Sequence, residues 1–161
     1  LYSVCGSDTE VAGYMAELAG TGRYEVSDAV KAVIGKHFVG GYCSDDETKS
    51  AINKVYTENG YLMDTHTAVA YNKLAAYRKD TGCVTPAVVV STASPYKFCN
   101  SVLQALGQES DAPGTELIEK LSEVTKTAIP KPLEGLDRRE KRFELVVDKP
   151  EMKATVADFL K

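Results

Sequence analysis

Pro86-Ala87-Val88-Val89-Val90-Ser91-Thr92-Ala93-Ser94-Pro95-Tyr96-Lys97-Phe98 is the stretch that decides the fold. Residues 86–91 form a continuous, largely β-branched run bounded by breakers. Such a run predicts a buried strand, parallel to its neighbours and flanked by helices. Ser94 then reads as an N-cap with Pro95 in the first helical position. Phe98, Val102, Ala105 and Leu106 are the expected inner face of that helix, and Gly107 its stop. The turn from Thr92 to Ser94 therefore lies at the carboxyl end of a strand, where open α/β sheets place ligands. It also lies at a helix N-terminus, whose free N–H groups favour anions and polar acceptors. Three hydroxyls converge there: Ser91, Thr92 and Ser94. The plainer alternative is that Ser94 only caps the helix while the other two tie down the turn. A lone strand cannot satisfy its own ladder hydrogen bonds. Its partners must be weak strands of this chain or strands outside it.

Outward from this stretch the pattern is helical. Ser7-Asp8-Thr9-Glu10 predicts a capping box, followed by Val11, Tyr14, Met15 and Leu18 on one face and a helix running to Gly20. Ser27 caps a second helix with Val30, Val33, Ile34, His37 and Phe38 on one face, closed by Gly40-Gly41. Ser44-Asp45-Asp46-Glu47 is another capping box, ahead of Ile52, Val55 and Tyr56, and Asn59-Gly60 is a stop. Asp64 reads as the N-cap of a fourth helix carrying Val69, Ala70, Leu74 and Tyr77 and ending near Gly82. His66 sits in its first turn. Asp64 and His66 read mainly as structural residues. Residues 108–115 predict a surface loop, and Leu117, Leu121 and Val124 a short helix. Residues 137–142, Asp-Arg-Arg-Glu-Lys-Arg, read as a solvated charge run, the interleaved acids weighing against a phosphate site. Phe143 to Val147 predicts a weak strand. Pro150 opens a last helix with Met152, Val156, Phe159 and Leu160 facing inward.

The chain has 161 residues, enough for one domain with a real core, and 1–161 is expected to form a single compact unit. Its 43% hydrophobic and 26% charged residues argue against disorder and a coiled coil. A net charge of −4 lacks the electrostatic footprint of a nucleic-acid binder. No apolar run approaches the roughly 20 residues of a membrane helix. Cys5, Cys43, Cys83 and Cys99 form no CxxC pair and, with two histidines, predict no zinc site. Reduced thiols in the cytoplasm are the expectation. The chain opens at Leu1 without a methionine, and a helix start follows at Ser7, which suggests a fragment of a longer protein.

Two segments carry a resemblance. Gly60-Tyr61-Leu62-Met63-Asp64-Thr65-His66-Thr67-Ala68-Val69 and Ser91-Thr92-Ala93-Ser94-Pro95-Tyr96-Lys97-Phe98, in that order, resemble threonine synthase, the enzyme that makes threonine from O-phosphohomoserine with pyridoxal 5'-phosphate. Gly22-x-Tyr24, Phe38 and Asp46-Glu47-Thr48 are similar in spacing, and the likeness weakens after residue 110. Thr65 stands where the family often has Pro, and Ser94 where it often has His. The resemblance implies an α/β fold, here the helix-rich, strand-poor C-terminal portion of a fold-type-II enzyme like the tryptophan synthase β subunit. It implies a carbon–oxygen lyase acting on phosphates: protons leave Cα and Cβ, phosphate leaves Cγ and water adds at Cβ. It implies that Thr92 hydrogen-bonds the cofactor's pyridine nitrogen, with Ser91 and Ser94 supporting the ring pocket or serving only the turn. The Schiff-base lysine, in an FKD-like segment, and the Gly-rich phosphate loop belong to the N-terminal part of such enzymes, and neither pattern occurs here. Lys97 belongs to the strand–helix motif and is not that lysine. No catalytic residue is therefore expected in this chain, which by itself should be inactive. Its expected partner is the N-terminal portion of the same protein. The alternative is a stand-alone interaction module or small-anion binder reusing the scaffold.

Overall fold

Serine and aspartate caps set where four of the helices begin. The computed structural model describes every residue except 110 and 141, so the expected loop at 108–115 and the charge run at 137–142 each include one residue outside the described set. Among the described residues eight α-helices follow one another: α1 (Tyr2–Cys5), α2 (Asp8–Thr21), α3 (Asp28–Gly35), α4 (Asp45–Asn59), α5 (Thr65–Thr81), α6 (Cys99–Ala105), α7 (Glu116–Thr125) and α8 (Met152–Phe159). Short 3₁₀ turns occupy Pro95–Phe98, Lys131–Leu133, Leu136–Arg138 and Lys149–Glu151. Where one unit was expected, the chain groups into two, Leu1–Cys43 and Ser44–Lys161.

In the first unit Ser7 Oγ accepts from Glu10 N at 3.1 Å, as the capping pattern requires. The reciprocal half of the box does not form. Glu10 instead accepts from the Tyr14 hydroxyl at 2.5 Å, one helical turn on. Tyr14 packs against Tyr24 with ring centroids 5.6 Å apart. Ser27 caps α3 through Val30 N, but α3 stops at Gly35. His37 and Phe38 therefore lie beyond the helix, and Phe38 is exposed rather than on a buried face.

In the second unit α4 has a complete capping box, with Glu47 accepting from Ser44 N at 2.8 Å and Ser44 accepting from Glu47 N at 3.2 Å. It ends on Gly60 at φ 65°, a conformation that glycine reaches at no steric cost. Ala51, Ile52 and Val55 of α4, Leu62 and Met63, Ala68 of α5, Tyr96, Cys99, Val102, Leu103 and Ala105 around α6, and Leu117, Ile118 and Leu121 of α7 make one apolar core. Ile52, Val102, Leu103 and Leu121 are 0% exposed. Burial of each such side chain is worth about 1.5–3 kcal/mol. The inward face of α5 is Thr67, Ala68 and Tyr71, not the expected Val69, Ala70, Leu74 and Tyr77. Three tyrosine and threonine hydroxyls stitch the far end of α7. Tyr56 OH donates to Thr125 O at 3.2 Å, Tyr96 OH to Thr127 O at 2.8 Å, and Thr125 Oγ1 to Leu121 O at 2.6 Å.

Two expected strands do not form. Among the described residues there is no strand at all. Residues 82–90 run as non-helical backbone with Val84 91% and Val88 90% exposed. Phe143, Leu145 and Val146 are likewise exposed. A strand exists only in a ladder, and no segment among the described residues provides one. The stripe on α8 is also reversed: Met152, Val156, Phe159 and Leu160 are exposed, Phe159 at 77%. The spacing is that of a packed helix, but nothing among the described residues covers it. The whole chain exposes 12156 Å². Two independent compact units of these lengths would together expose only about 9,300 Å².

Candidate functional site

The site is assembled at the N-terminus of α5. Leu62 and Met63 are buried and draw the chain inward just before the helix, so Asp64 enters it at 0% exposure. Its Oδ1 accepts from His66 N at 2.9 Å and Thr67 N at 3.3 Å, satisfying two of the helix's orphan donors. The negative charge also meets the positive end of the helix dipole. Its Oδ2 accepts a close hydrogen bond from the Thr67 hydroxyl. Thr67 is itself 3% exposed.

From this cap two contacts reach the second sequence motif. Thr67 Oγ1 lies 3.2 Å from Ser91 Oγ. The His66 ring stands edge-on to Phe98, with centroids 5.0 Å apart and planes at 86°. Such T-shaped pairs place a positive ring edge on a negative face. Between these two points runs the turn. Thr92 is exposed, and among the described residues its hydroxyl makes no hydrogen bond. Ser94 is half-buried, and its Oγ accepts from Tyr96 N at 3.3 Å, capping the Pro95–Phe98 turn. Ser91 is exposed and also approaches Ala93 O at 3.5 Å. Lys97 Nζ sits 5.4 Å from the Phe98 ring centroid, a cation–π contact at the surface.

Beneath the turn Tyr96 is buried, its carbonyl accepting from Cys99 Sγ at 3.1 Å. Burial raises the Cys99 thiol above its ordinary pKa. A cleft of ≈ 250 Å³ opens beside it, walled by Phe98, Asn100, Gly114 and Ile118 among others. Among the described residues no group of three or more His, Cys, Asp or Glu side chains could hold a metal ion. Nor is any helix long and apolar enough to cross a membrane.

The structure thus brings Ser91, Asp64 and His66 together, with Thr92 and Ser94 on the same turn. Thr67 and Phe98 complete the arrangement. Sequence reasoning placed Phe98 on an inner face and gave Thr67 no role. Their partners are distant in sequence, and no local spacing signals those contacts. Chemically, among the described residues the turn offers one hydroxyl without a hydrogen bond, Thr92, at the end of a non-helical segment, with Ser91 and Ser94 already engaged.

Residues 67–157, more than half of the chain, match the family model "Threonine synthase, C-terminal". A threonine synthase-like 1 protein of Mus musculus is 36% identical over 110 residues, which is 68% of this chain and 14% of that protein. The threonine synthase of Schizosaccharomyces pombe is 34% identical over 99 residues, 61% of this chain and 19% of that protein. Among solved structures, yeast threonine synthase superposes with a TM-score of 0.70 at 25% identity, covering 94% of this chain and 29% of that one. A pyridoxal-phosphate-bound threonine synthase from Brucella melitensis superposes with a TM-score of 0.56 at 29% identity, covering 80% of this chain and 26% of that one. The chain therefore spans less than a third of each of these relatives. It belongs to the threonine synthase family, and its helix-rich fold is that of the family's C-terminal portion.

Proposed function

We propose that this chain is the C-terminal portion of an enzyme converting O-phosphohomoserine and water to L-threonine and phosphate, and that Thr92 meets the pyridine nitrogen of pyridoxal 5'-phosphate in that enzyme. The observation that carries the reading is the Thr92 hydroxyl itself: exposed, unengaged among the described residues, and held on a turn whose other hydroxyls are spoken for. That donor set fits the ring end of the cofactor. A hydroxyl can donate to or accept from a ring nitrogen, whichever the nitrogen needs. Unlike a carboxylate it brings no charge to hold that nitrogen protonated. When bound, the cofactor supplies an electron sink for carbanion chemistry. This chain's part is to orient the ring through Thr92 and to keep the turn fixed through Ser91 and Ser94. Asp64 and His66 hold that turn from the first turn of α5, through Thr67 and Phe98.

The covalent lysine and the phosphate loop must come from elsewhere, and the N-terminal portion of the same protein is the partner this reading requires. The exposed valines of 84–90, the exposed Phe143, Leu145 and Val146, and the open stripe of α8 are the surfaces it would cover. Completing the sheet would give residues 86–91 the ladder they lack. A reducing, cytoplasmic setting belongs to the same reading and suits the four free cysteines. The test is direct. The intact protein, supplied with pyridoxal phosphate and O-phosphohomoserine, should release phosphate and form threonine in equal amounts, while residues 1–161 alone release none. An intact protein that binds pyridoxal phosphate yet forms no threonine would refute the proposal.

A further inference from the structure

The first turn of α5 does more than cap itself. Capping uses only Oδ1 of Asp64 and the backbone N–H groups of His66 and Thr67. The Thr67 hydroxyl is not needed for it. That hydroxyl is nonetheless buried, donates to Asp64 Oδ2, and so is left to accept from the Ser91 hydroxyl, whose Oγ lies 3.2 Å away. The neighbouring His66 meets Phe98 at 5.0 Å. Adjacent residues of one helical turn thus grip both ends of the 91–98 segment. Thr92 is the residue directly after the first grip. Its backbone direction is set where Ser91 is held.

We propose that Thr67 is a positioning residue for Thr92: Asp64 orients the Thr67 hydroxyl, Thr67 fixes Ser91, and Ser91 fixes the turn that presents Thr92. The inference rests on the reading of Thr92 as the cofactor contact. Its physical basis is that an exposed hydroxyl binds tightly only when its direction is set in advance, because ordering it on binding costs free energy. Ser94 and Tyr96 anchor the far side of the same turn, so the Thr67–Ser91 contact is the restraint nearest Thr92 on its N-terminal side.

The experiment is a double-mutant cycle in the intact protein, reading the affinity of the cofactor-free form for pyridoxal phosphate by titration. Thr67→Val removes the hydroxyl and keeps the shape. Its affinity should fall about three- to tenfold, the range of one neutral hydrogen bond. Thr67→Ser restores the hydroxyl and should stay near the parent value. In a Thr92→Val background Thr67→Val should add almost nothing, since it acts through Thr92. An equal loss in both backgrounds overturns the inference, as does no loss from Thr67→Val where Thr92→Val does lose affinity. If Thr67→Val fails to fold, Ser91→Ala runs the same cycle from the exposed end of the contact, leaving Asp64 and its donors intact. Unchanged affinity in Thr92→Val alone refutes the cofactor reading and, with it, the relay. That failure is read from a different variant than the failure of the positioning step.

Discussion

Replacing Asp64 with alanine isolates the energetic centre of the site. Asp64 is fully buried and serves three donors: His66 N, Thr67 N and the Thr67 hydroxyl. Losing a helix cap costs about 1 kcal/mol. Leaving a buried hydroxyl without its acceptor adds about 1–3 kcal/mol. Asp64→Ala should therefore destabilise the chain by about 2–4 kcal/mol. With a urea m-value of about 2 kcal/mol/M the midpoint falls by about 1–2 M, with m unchanged. Ser44→Ala supplies the comparison, because Ser44 caps α4 at an exposed position through Glu47 N alone. It should cost only about 1 kcal/mol. Asp64→Asn keeps an acceptor for the two N–H groups and should fall between them. The assay is urea denaturation followed by far-ultraviolet circular dichroism. If Asp64→Ala costs no more than Ser44→Ala, the buried network contributes nothing beyond an ordinary cap, and the account of the site is wrong.

Other expectations concern surfaces, thiols and pH. Amides of residues 84–90 should exchange rapidly in this chain and slowly in the intact protein, because only there would a ladder form; equal, rapid exchange in both would refute the covering partner. Cys83 is half-buried, and its hydrogen bonds with Thr85, together with nearby Arg78, lower its thiol pKa, whereas burial raises that of Cys99. Iodoacetamide at pH 8 should therefore modify Cys83 more than about tenfold faster than Cys99, read by peptide mass spectrometry; labelling of Cys99 first would contradict this. The Ser44 backbone and hydroxyl groups hold the Glu47 carboxyl below its ordinary pKa of 4.5. The stability this gives is present above that value and is lost as pH falls through the lower folded value. Glu47→Gln should flatten the acid limb of the stability–pH curve between about pH 5 and 3 and leave its shape unchanged at neutral pH.

What the sequence made legible was local chemistry. Ser7, Ser27, Ser44, Asp64 and Ser94 all cap where their side chains say they should, because a cap is decided within three residues. Gly60 and Gly82 stop their helices at positive φ for the same local reason. Glu10 shows the limit even at short range: its carboxylate had two partners in reach, and Tyr14 won over the box. Patterning at longer range failed in a consistent way. Val88 and Phe159 read as buried because their spacing is that of buried residues, yet each is exposed. Hydrophobic periodicity records that a face is meant to be covered, not by what. The two motifs at 60–69 and 91–98 were legible separately. Their meeting through Thr67 and Ser91, and through His66 and Phe98, was not, because both contacts bridge a helix and an irregular segment whose path only the packed core determines.

The central claim is that Thr92 serves the cofactor and not the fold, and one comparison tests it: pyridoxal phosphate affinity and the cofactor-free melting temperature, measured together for the intact protein and its Thr92→Val variant. Thr92 makes no hydrogen bond among the described residues and is exposed, so its removal should leave the melting temperature unchanged. A buried ring nitrogen deprived of its partner costs about 1–3 kcal/mol, so affinity should fall roughly 5- to 150-fold. Unchanged affinity with a lowered melting temperature would contradict the account.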